Sequence, residues 1–273
     1  MGTQSTGWGI CEIDGTTTKS VSGTASRAKQ GQDSTTSETV AVGTLDSRLR
    51  EEMFGLYERH YDAADRGRFE HDLAEKDSVV LVRSEAGDIV GFSTILVGRQ
   101  EVDGAEINYL FSGDTVLDSS RWGDSVLLRA WFKAAGTIKA EVGDSQLFWF
   151  PIVKGHRTYR ILPNFFRRHF PAADAVAAPN LRRIRDGIAT ARYGKYFDPE
   201  TGLIDFGESQ GHLRQEWVDA ERMARHNRHT AFFLDANPSY HRGVELACLA
   251  ELALSNLQRY GATSFAEGMA HAR

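Results

Sequence analysis

The stretch from Glu106 to Ile152 restricts the possible folds of this chain most, because it sets a strand, a helix and a second strand in close succession. In Glu106–Leu117, Ile107, Tyr109 and Phe111 alternate with Glu106, Asn108 and Ser112, the period of a pleated strand with two unlike faces. Gly113–Asp114 interrupts the run before Thr115–Leu117 resumes it, and a glycine inside a strand pattern predicts a bulge or a close approach to a ligand. Ser119–Ser120 offers an N-cap for a helix opening at Trp122–Gly123, whose Val126, Leu127, Ala130, Trp131 and Ala134 share one stripe. Gln146–Ile152 is the second strand. A bulged strand feeding a helix N-terminus can turn backbone N–H groups toward an anionic or carbonyl ligand.

The flanks extend this pattern. Glu38–Gly43 reads as a first strand, and Asp46 caps a helix through Arg59 whose Leu49, Met53, Leu56 and Tyr57 lie on one face. Tyr61–Lys76 is a second helix, and Val79–Val82 is apolar throughout, as in a strand covered on both faces. Lys154–His169 predicts a helix interrupted near Pro163. Further on, Ala189–Gly202 is an irregular segment or short strand with turns at Asp198-Pro199 and Thr201-Gly202. His212–Arg225 reads as a helix, Thr230–Leu234 as a strand, and Tyr240–Gln258 as a long helix, apolar around nearly its whole circumference, that is buried or at a dimer interface. The expected fold class is α/β, a mixed central sheet flanked by helices with a helical C-terminal extension. The expected divisions are a disordered tail over 1–39, a main domain over 40–205, and an extension over 206–273 packed on the same core.

Composition excludes several classes. The tail holds 15 Ser/Thr and 6 Gly with no clustered apolar residues, too little to offset its ordering entropy. The two cysteines, Cys11 and Cys248, form no metal or disulfide pattern, and Cys248 sits in an apolar run that suits packing better than nucleophilic chemistry. No apolar run approaches the roughly 18 residues of a membrane span, and the start is polar, so a cytoplasmic protein with no membrane association is expected.

The residues from about 44 to 170 resemble the GNAT (GCN5-related) acyltransferase superfamily. The likeness rests on the order of a strand, two helices and a three-strand meander, on the hairpin Val79–Phe92, and on Ser120-Arg-Trp-Gly-Asp-Ser125 at the place of that family's pyrophosphate loop. It implies an N-acyltransferase that moves an acyl group from a thioester donor to a small-molecule amine by direct attack, with no tightly bound cofactor and no metal. The donor would be coenzyme A or the phosphopantetheine thioester of an acyl carrier protein. Aminoacyl-tRNA is the donor in one GNAT-like branch, and a non-catalytic binding module is a further alternative. The resemblance places the donor at Ser112, Gly113, Thr115, Arg121, Trp122, Gly123, Ser125, Arg157 and Arg160, and the acceptor at Asn108 and Trp149. Tyr159 falls where many members carry the general acid, with packing against Phe165 and Phe166 as its structural alternative; His156 is a candidate base or hydrogen-bond donor. Glu106 and Asp114 are candidates for deprotonating the acceptor. Of the family loop only Gly123 is in place, and Asp124 suits the helix dipole but repels a pyrophosphate, which favours a donor presented by other means.

Charge is distributed unevenly. Between Lys154 and Lys195 ten Lys/Arg face two acids, a local balance of +8 in a chain of net charge −5. Such a belt points to a phosphate-bearing or acidic partner, a carrier protein or tRNA, with a solvated face paired to the acidic remainder as the alternative.

Overall fold

The computed structural model describes residues 35–60, 64–121, 124–174, 178–207 and 227–271. Most of the N-terminal tail, Trp122, Gly123 and the expected helix His212–Arg225 lie outside the described residues. The first strand, β1 (Thr36–Ala41), begins inside the segment expected as tail and pairs antiparallel with β2 (Ser78–Arg83). Between them, α1 (Ser47–Glu58) opens where Asp46 accepts a hydrogen bond from Leu49 N at 2.8 Å, and its apolar spacing buries Met53, Leu56 and Tyr57. α2 (Arg66–Ala74) is shorter than Tyr61–Lys76, because Asp65 caps it by accepting from Arg68 N at 2.7 Å.

β3 (Ile89–Val102) and β4 (Ala105–Leu117) complete the meander through Asp103 and Gly104. These two residues have φ of 53° and 78°, the left-handed pair that a two-residue hairpin turn demands. α3 (Val126–Val142) then carries the chain over one face of the sheet to β5 (Leu147–Trp149), which runs parallel to β4. α3 starts later than Trp122; Ser119 and Ser120 form a tight turn instead, in which Ser120 N and Oγ both donate to Asp118 Oδ1.

The break expected at Pro163 falls at Arg160, between α4 (His156–Tyr159) and α5 (Ile161–Phe165). The other elements of this half are β6 (Ile152–Val153), β7 (His169–Phe170), α6 (Pro179–Tyr193), β8 (Phe197–Asp198) and β9 (Leu203–Ile204). Two expectations for the remainder are corrected. Thr230–Leu234 is not a strand but the middle of α7 (Arg228–Ala236), because Asn227 accepts from His229 N and Thr230 N and so starts a helix. Tyr240–Gln258 is not a helix: it forms β10 (Glu245–Ala247) and β11 (Leu249–Glu251), and the helix follows as α8 (Arg259–His271). A run that is apolar at every position fits a strand covered on both faces as well as a buried helix, and periodicity alone does not separate them.

The seven-stranded mixed sheet has the order β1-β2-β3-β4-β5-β11-β7, and a second sheet the order β6-β10-β9-β8. One face of the large sheet packs under α3 and α8 through Val80, Val82, Ile95, Leu110 and Trp149. The opposite face meets α1 and α2 through Val79, Leu81, Phe92 and Val116, and α6 through Ile107, Tyr109 and Phe111. Phe111 and Val116 cannot share a face in a regular strand; they do so because Gly113–Asp114 inserts an extra residue between them. α3 and α8 touch backbone to backbone at Gly136 and Gly268, where a Cβ would collide with Phe265 O and Lys133 O respectively.

Candidate functional site

β4 and β5 pair over only three positions, Asn108↔Leu147, Tyr109↔Phe148 and Leu110↔Trp149. Phe150 N then donates to Leu110 O at 2.8 Å, Pro151 follows, and Ile152–Val153 turn into the second sheet to pair with β10. β4 continues alone on that side, and among the described residues no further backbone bond joins it to the strand that left. The bulge lies just past this parting. Ser93 faces Thr115 and Ile95 faces Ser112, so Gly113 and Asp114 together stand opposite Thr94. The sheet therefore opens where β4 changes its twist, and backbone groups of β4 border the opening.

A Cβ at Gly113 would collide with Thr94 Oγ1 and with Lys76 Cε, so any larger residue would have to displace these two side chains. The Lys76 side chain lies over the bulge, 5.8 Å from the Phe111 ring centroid, while its Nζ donates to Asp72 O at 2.8 Å and stands 4.0 Å from the Asp72 carboxylate. The Arg192 guanidinium is 4.5 Å from the centroid of the same ring and donates to Tyr109 Oη at 3.4 Å. Beside this group Glu245 of β10 is fully buried, with Lys154 Nζ 3.0 Å from its carboxylate. Burial pushes the Glu245 carboxyl up to about 7, against the pull of Lys154 and with a further upward push from Asp72. A carboxyl group that titrates near neutral pH beside the Lys154 ammonium can exchange a proton at physiological pH.

The residues singled out from the sequence fall into several places. Asp114 and Ser112 are buried at the bulge. Ser112 Oγ accepts from Trp149 Nε1 at 3.1 Å, and Trp149 packs on Trp131 and Phe166 beneath α3, so its ring belongs to the core of that face. Asn108, on the same face, donates to Gln146 O at 3.4 Å. Thr115 and Ser93 join their hydroxyls at 2.7 Å. Glu106 is exposed near Arg99, at the opposite end of β4, about 26 Å of strand from Asp114. Ser125 is the first residue before α3 but makes no side-chain cap; Asp124 takes that role, accepting from Val126 N at 3.1 Å.

Tyr159, expected as the acid, is a core residue here. Its ring is enclosed by Phe232, Phe233 and His169, its hydroxyl donates to Pro171 O at 2.9 Å, and burial raises its pKa above the ordinary phenol value. His156 is buried, and desolvation with the charges of Arg157 and Arg160 lowers its pKa to about 4, so the ring is neutral at pH 7. Arg121, Arg157 and Arg160 are half-buried. The belt of cations is divided: Lys154 and Arg185 point inward, Arg182 and Arg183 meet Asp186 and Asp103, and Arg167 and Arg168 remain on the surface.

Sequence reasoning missed Lys76, Asp72 and Glu245. Glu245 carried the one available signal, a lone acid at the head of an apolar run, but the helical reading of that run hid its partner across the strands. Among the described residues no group of His, Cys, Asp or Glu is placed to hold a metal ion, and no helix is long and apolar enough to cross a membrane.

No protein-family model and no curated protein matches the sequence. Among solved structures, the chain is similar to a probable N-acyltransferase from Enterococcus faecalis (14% identity, 49% of this chain and 33% of that one, TM-score 0.36). It is similar also to a GNAT family N-acetyltransferase from Escherichia coli in complex with CoA (11%, 51% and 72%, 0.37) and to N-myristoyltransferase from Saccharomyces cerevisiae with bound myristoyl-CoA (9%, 52% and 38%, 0.33). The chain thus spans about a third of the Enterococcus protein's length. At these identities and TM-scores the likenesses assign neither family nor activity. With a strand, two helices, a three-strand meander, a helix and a parallel strand in that order, and a bulge where the sheet parts, the chain has a GNAT-like α/β fold.

Proposed function

We propose that the chain is an N-acyltransferase that joins the acyl group of a thioester to a small-molecule amine. The observation that carries this reading is the position of the Gly113–Asp114 bulge directly beyond the last β4–β5 pair. A thioester laid in the opening meets the backbone of β4, whose N–H groups can hold the carbonyl oxygen as it becomes an oxyanion. The amine nitrogen attacks the carbonyl carbon, the carbon–sulfur bond breaks, and the amide forms. The amine proton passes to Glu245 and finally to sulfur, while the Lys76 ammonium beside Gly113 offsets the charge of the departing thiolate. Asp114 holds the incoming amine. Tyr159 fixes the chain at Pro171 instead of acting as acid.

For the donor, the capping of α3 by Asp124 favours a carrier-borne phosphopantetheine over free coenzyme A. The first-turn N–H that a pyrophosphate would use is already bonded to a carboxylate, whose charge repels phosphate. Aminoacyl-tRNA satisfies the same condition.

Mass spectrometry of product amide, with the protein supplied in turn with acyl-CoA, acyl carrier protein and charged tRNA against a mixture of amines, tests both statements. Amide formed from the carrier-borne donor and not from acyl-CoA is expected. Turnover with acyl-CoA alone would remove the donor assignment and leave the transferase; no amide with any donor would remove the transferase.

A further inference from the structure

Arg167 and Arg168 lie between α5 and β7, on backbone fastened by the C-terminal segment. Arg167 N donates to Asn256 O at 2.8 Å, Arg168 N to Asn256 Oδ1 at 2.9 Å, and Asn256 Nδ2 to Arg168 O at 3.0 Å. Gln258 N secures Phe165 O on the other side at 2.8 Å. The backbone is thus fixed, while both side chains are exposed, and among the described residues neither meets an acid or a hydrogen-bond acceptor.

Two cavities open at this segment, one of about 630 Å³ and one of about 520 Å³, and Arg167, Arg168 and Leu181 line both. The larger has an apolar floor of Ile107, Phe148, Leu181 and Ile184. Every acid in the two linings already has a partner. Asp103 pairs with Arg183 at 3.1 Å, Glu251 accepts from Gln146 Nε2 at 3.1 Å, and Asp174 takes both guanidinium nitrogens of Arg228. Asp103 and Asp174 are neutralised by arginines while Glu251 is held only by a neutral amide, so the four arginines of the two linings exceed their three acids by one and the junction keeps a net positive charge.

Two further features suit an anion. The first turn of α6 borders both cavities through Leu181, and it carries neither a capping side chain at Ala178 nor an acid. His169 lines the smaller cavity, 8% exposed, with no hydrogen-bond partner at either ring nitrogen. Burial lowers its pKa to about 4, so at pH 7 the ring is neutral and has an N–H to donate.

We propose that Arg167 and Arg168 hold the phosphate of a small phosphorylated molecule whose apolar or aromatic body lies on Ile107, Phe148 and Ile184. Two arginines on a fixed backbone provide the bidentate geometry that phosphate prefers, and the floor supplies the apolar contact that inorganic phosphate lacks. Ile107 is about 20 Å along β4 from Gly113, so this site is separate from the opening at the bulge and stands independently of the acyl-transfer reading.

Titration calorimetry on the full chain with phenyl phosphate, inorganic phosphate and phenol tests the proposal. Phenyl phosphate is expected to bind about tenfold more tightly than either other probe. Arg167→Gln with Arg168→Gln should weaken it by about tenfold or more, whereas Arg129→Gln, an exposed arginine of α3, should leave it unchanged. Ile184→Trp, which fills the floor, should weaken phenyl phosphate but not inorganic phosphate. If the double glutamine variant loses its cooperative melt, Arg167→Lys with Arg168→Lys replaces it and should still weaken binding, because the planar fork is lost. Absent binding of phenyl phosphate, equal binding of phenol, unchanged affinity in the arginine variants, or an equal loss in Arg129→Gln would each overturn the proposal.

Discussion

Lys154 and Glu245 meet at 3.0 Å across neighbouring strands, the carboxylate fully buried and the lysine side chain 10% exposed. The pair ties β6, which leaves the large sheet at Pro151, to β10, and stands beside the Asp72 and Lys76 group at the bulge. Without the lysine the carboxyl takes up a proton and is left without its hydrogen-bond donor, so Lys154→Met should cost about 1 to 3 kcal/mol in chemical denaturation at pH 7. Lys154→Met with Glu245→Leu should recover much of that loss. A double variant no better than the single one would show that the pair holds the strands by more than charge.

The same carboxyl predicts a pH signature. Its pKa is raised in the folded protein from the ordinary 4.5 to about 7, so its contribution to stability is full below pH 4.5 and disappears as pH rises through 7. Relative to Glu245→Gln, the wild type should lose stability across that window, by up to about 1.4 kcal/mol per pH unit. His156 and His169, lowered from 6.5 to about 4, act in the opposite direction, contributing stability above pH 6.5 that is lost as pH falls through 4. Both are present in each protein and cancel in the difference, which parallel melts at pH 4.5, 5.5, 6.5 and 7.5 would read. If Glu245 also accepts the amine proton, the limb of the pH–rate profile near pH 7 should vanish in Glu245→Gln.

Tyr159→Phe separates the two roles considered for that residue. Loss of the hydroxyl leaves Pro171 O, at a half-buried place, without its donor, which should lower stability by about 1 kcal/mol. Turnover at saturating substrate should stay near that of the wild type. A fall in turnover of about a hundredfold with unchanged stability would return Tyr159 to the role of acid.

Gly136→Ala or Gly268→Ala should be among the most damaging single-methyl changes in the protein. Each added Cβ would strike backbone of the facing helix, which cannot swing aside as a side chain can, so α3 and α8 must separate. A loss of about 3 kcal/mol or more is expected from the melting temperature, and Gly55→Ala, on α1, where an added Cβ would meet only the tip of the Arg59 side chain at 3.9 Å, should gain slightly. Equal behaviour of these variants would mean that the helices are not in backbone contact.

Much of the organisation was written locally. The strand period of β4, its interruption at Gly113–Asp114 and the cap at Asp46 depend on residues close together in the chain, and each formed as its residues demanded. Thr230–Leu234 failed because a β-prone composition yielded to the capping side chain of Asn227 just before it. Gly113 and Asp114 could be named as bulge residues in advance, because the interruption itself marks the position. Trp149 and Asn108 could not be assigned to the core from sequence, since a polar or aromatic residue on a strand looks the same whether a ligand or α3 covers it; for Tyr159 packing is one of two readings, and the partners that enclose it, Phe232 and Phe233, are more than seventy residues away in the chain.

The sequence by itself determined that this chain builds a strand–helix–strand unit with a break in its central strand, because periodicity and glycine act over a few residues. Only the tertiary structure decided that Glu245 lies against Lys154 near that break, and that the run containing Glu245 is two strands. Between Glu245 and Glu251 the run is apolar at every position and carries no period, so its conformation was settled by the strands it had to pair with, β5 and β6, and the raised proton affinity of Glu245 exists only once those strands have taken it out of water.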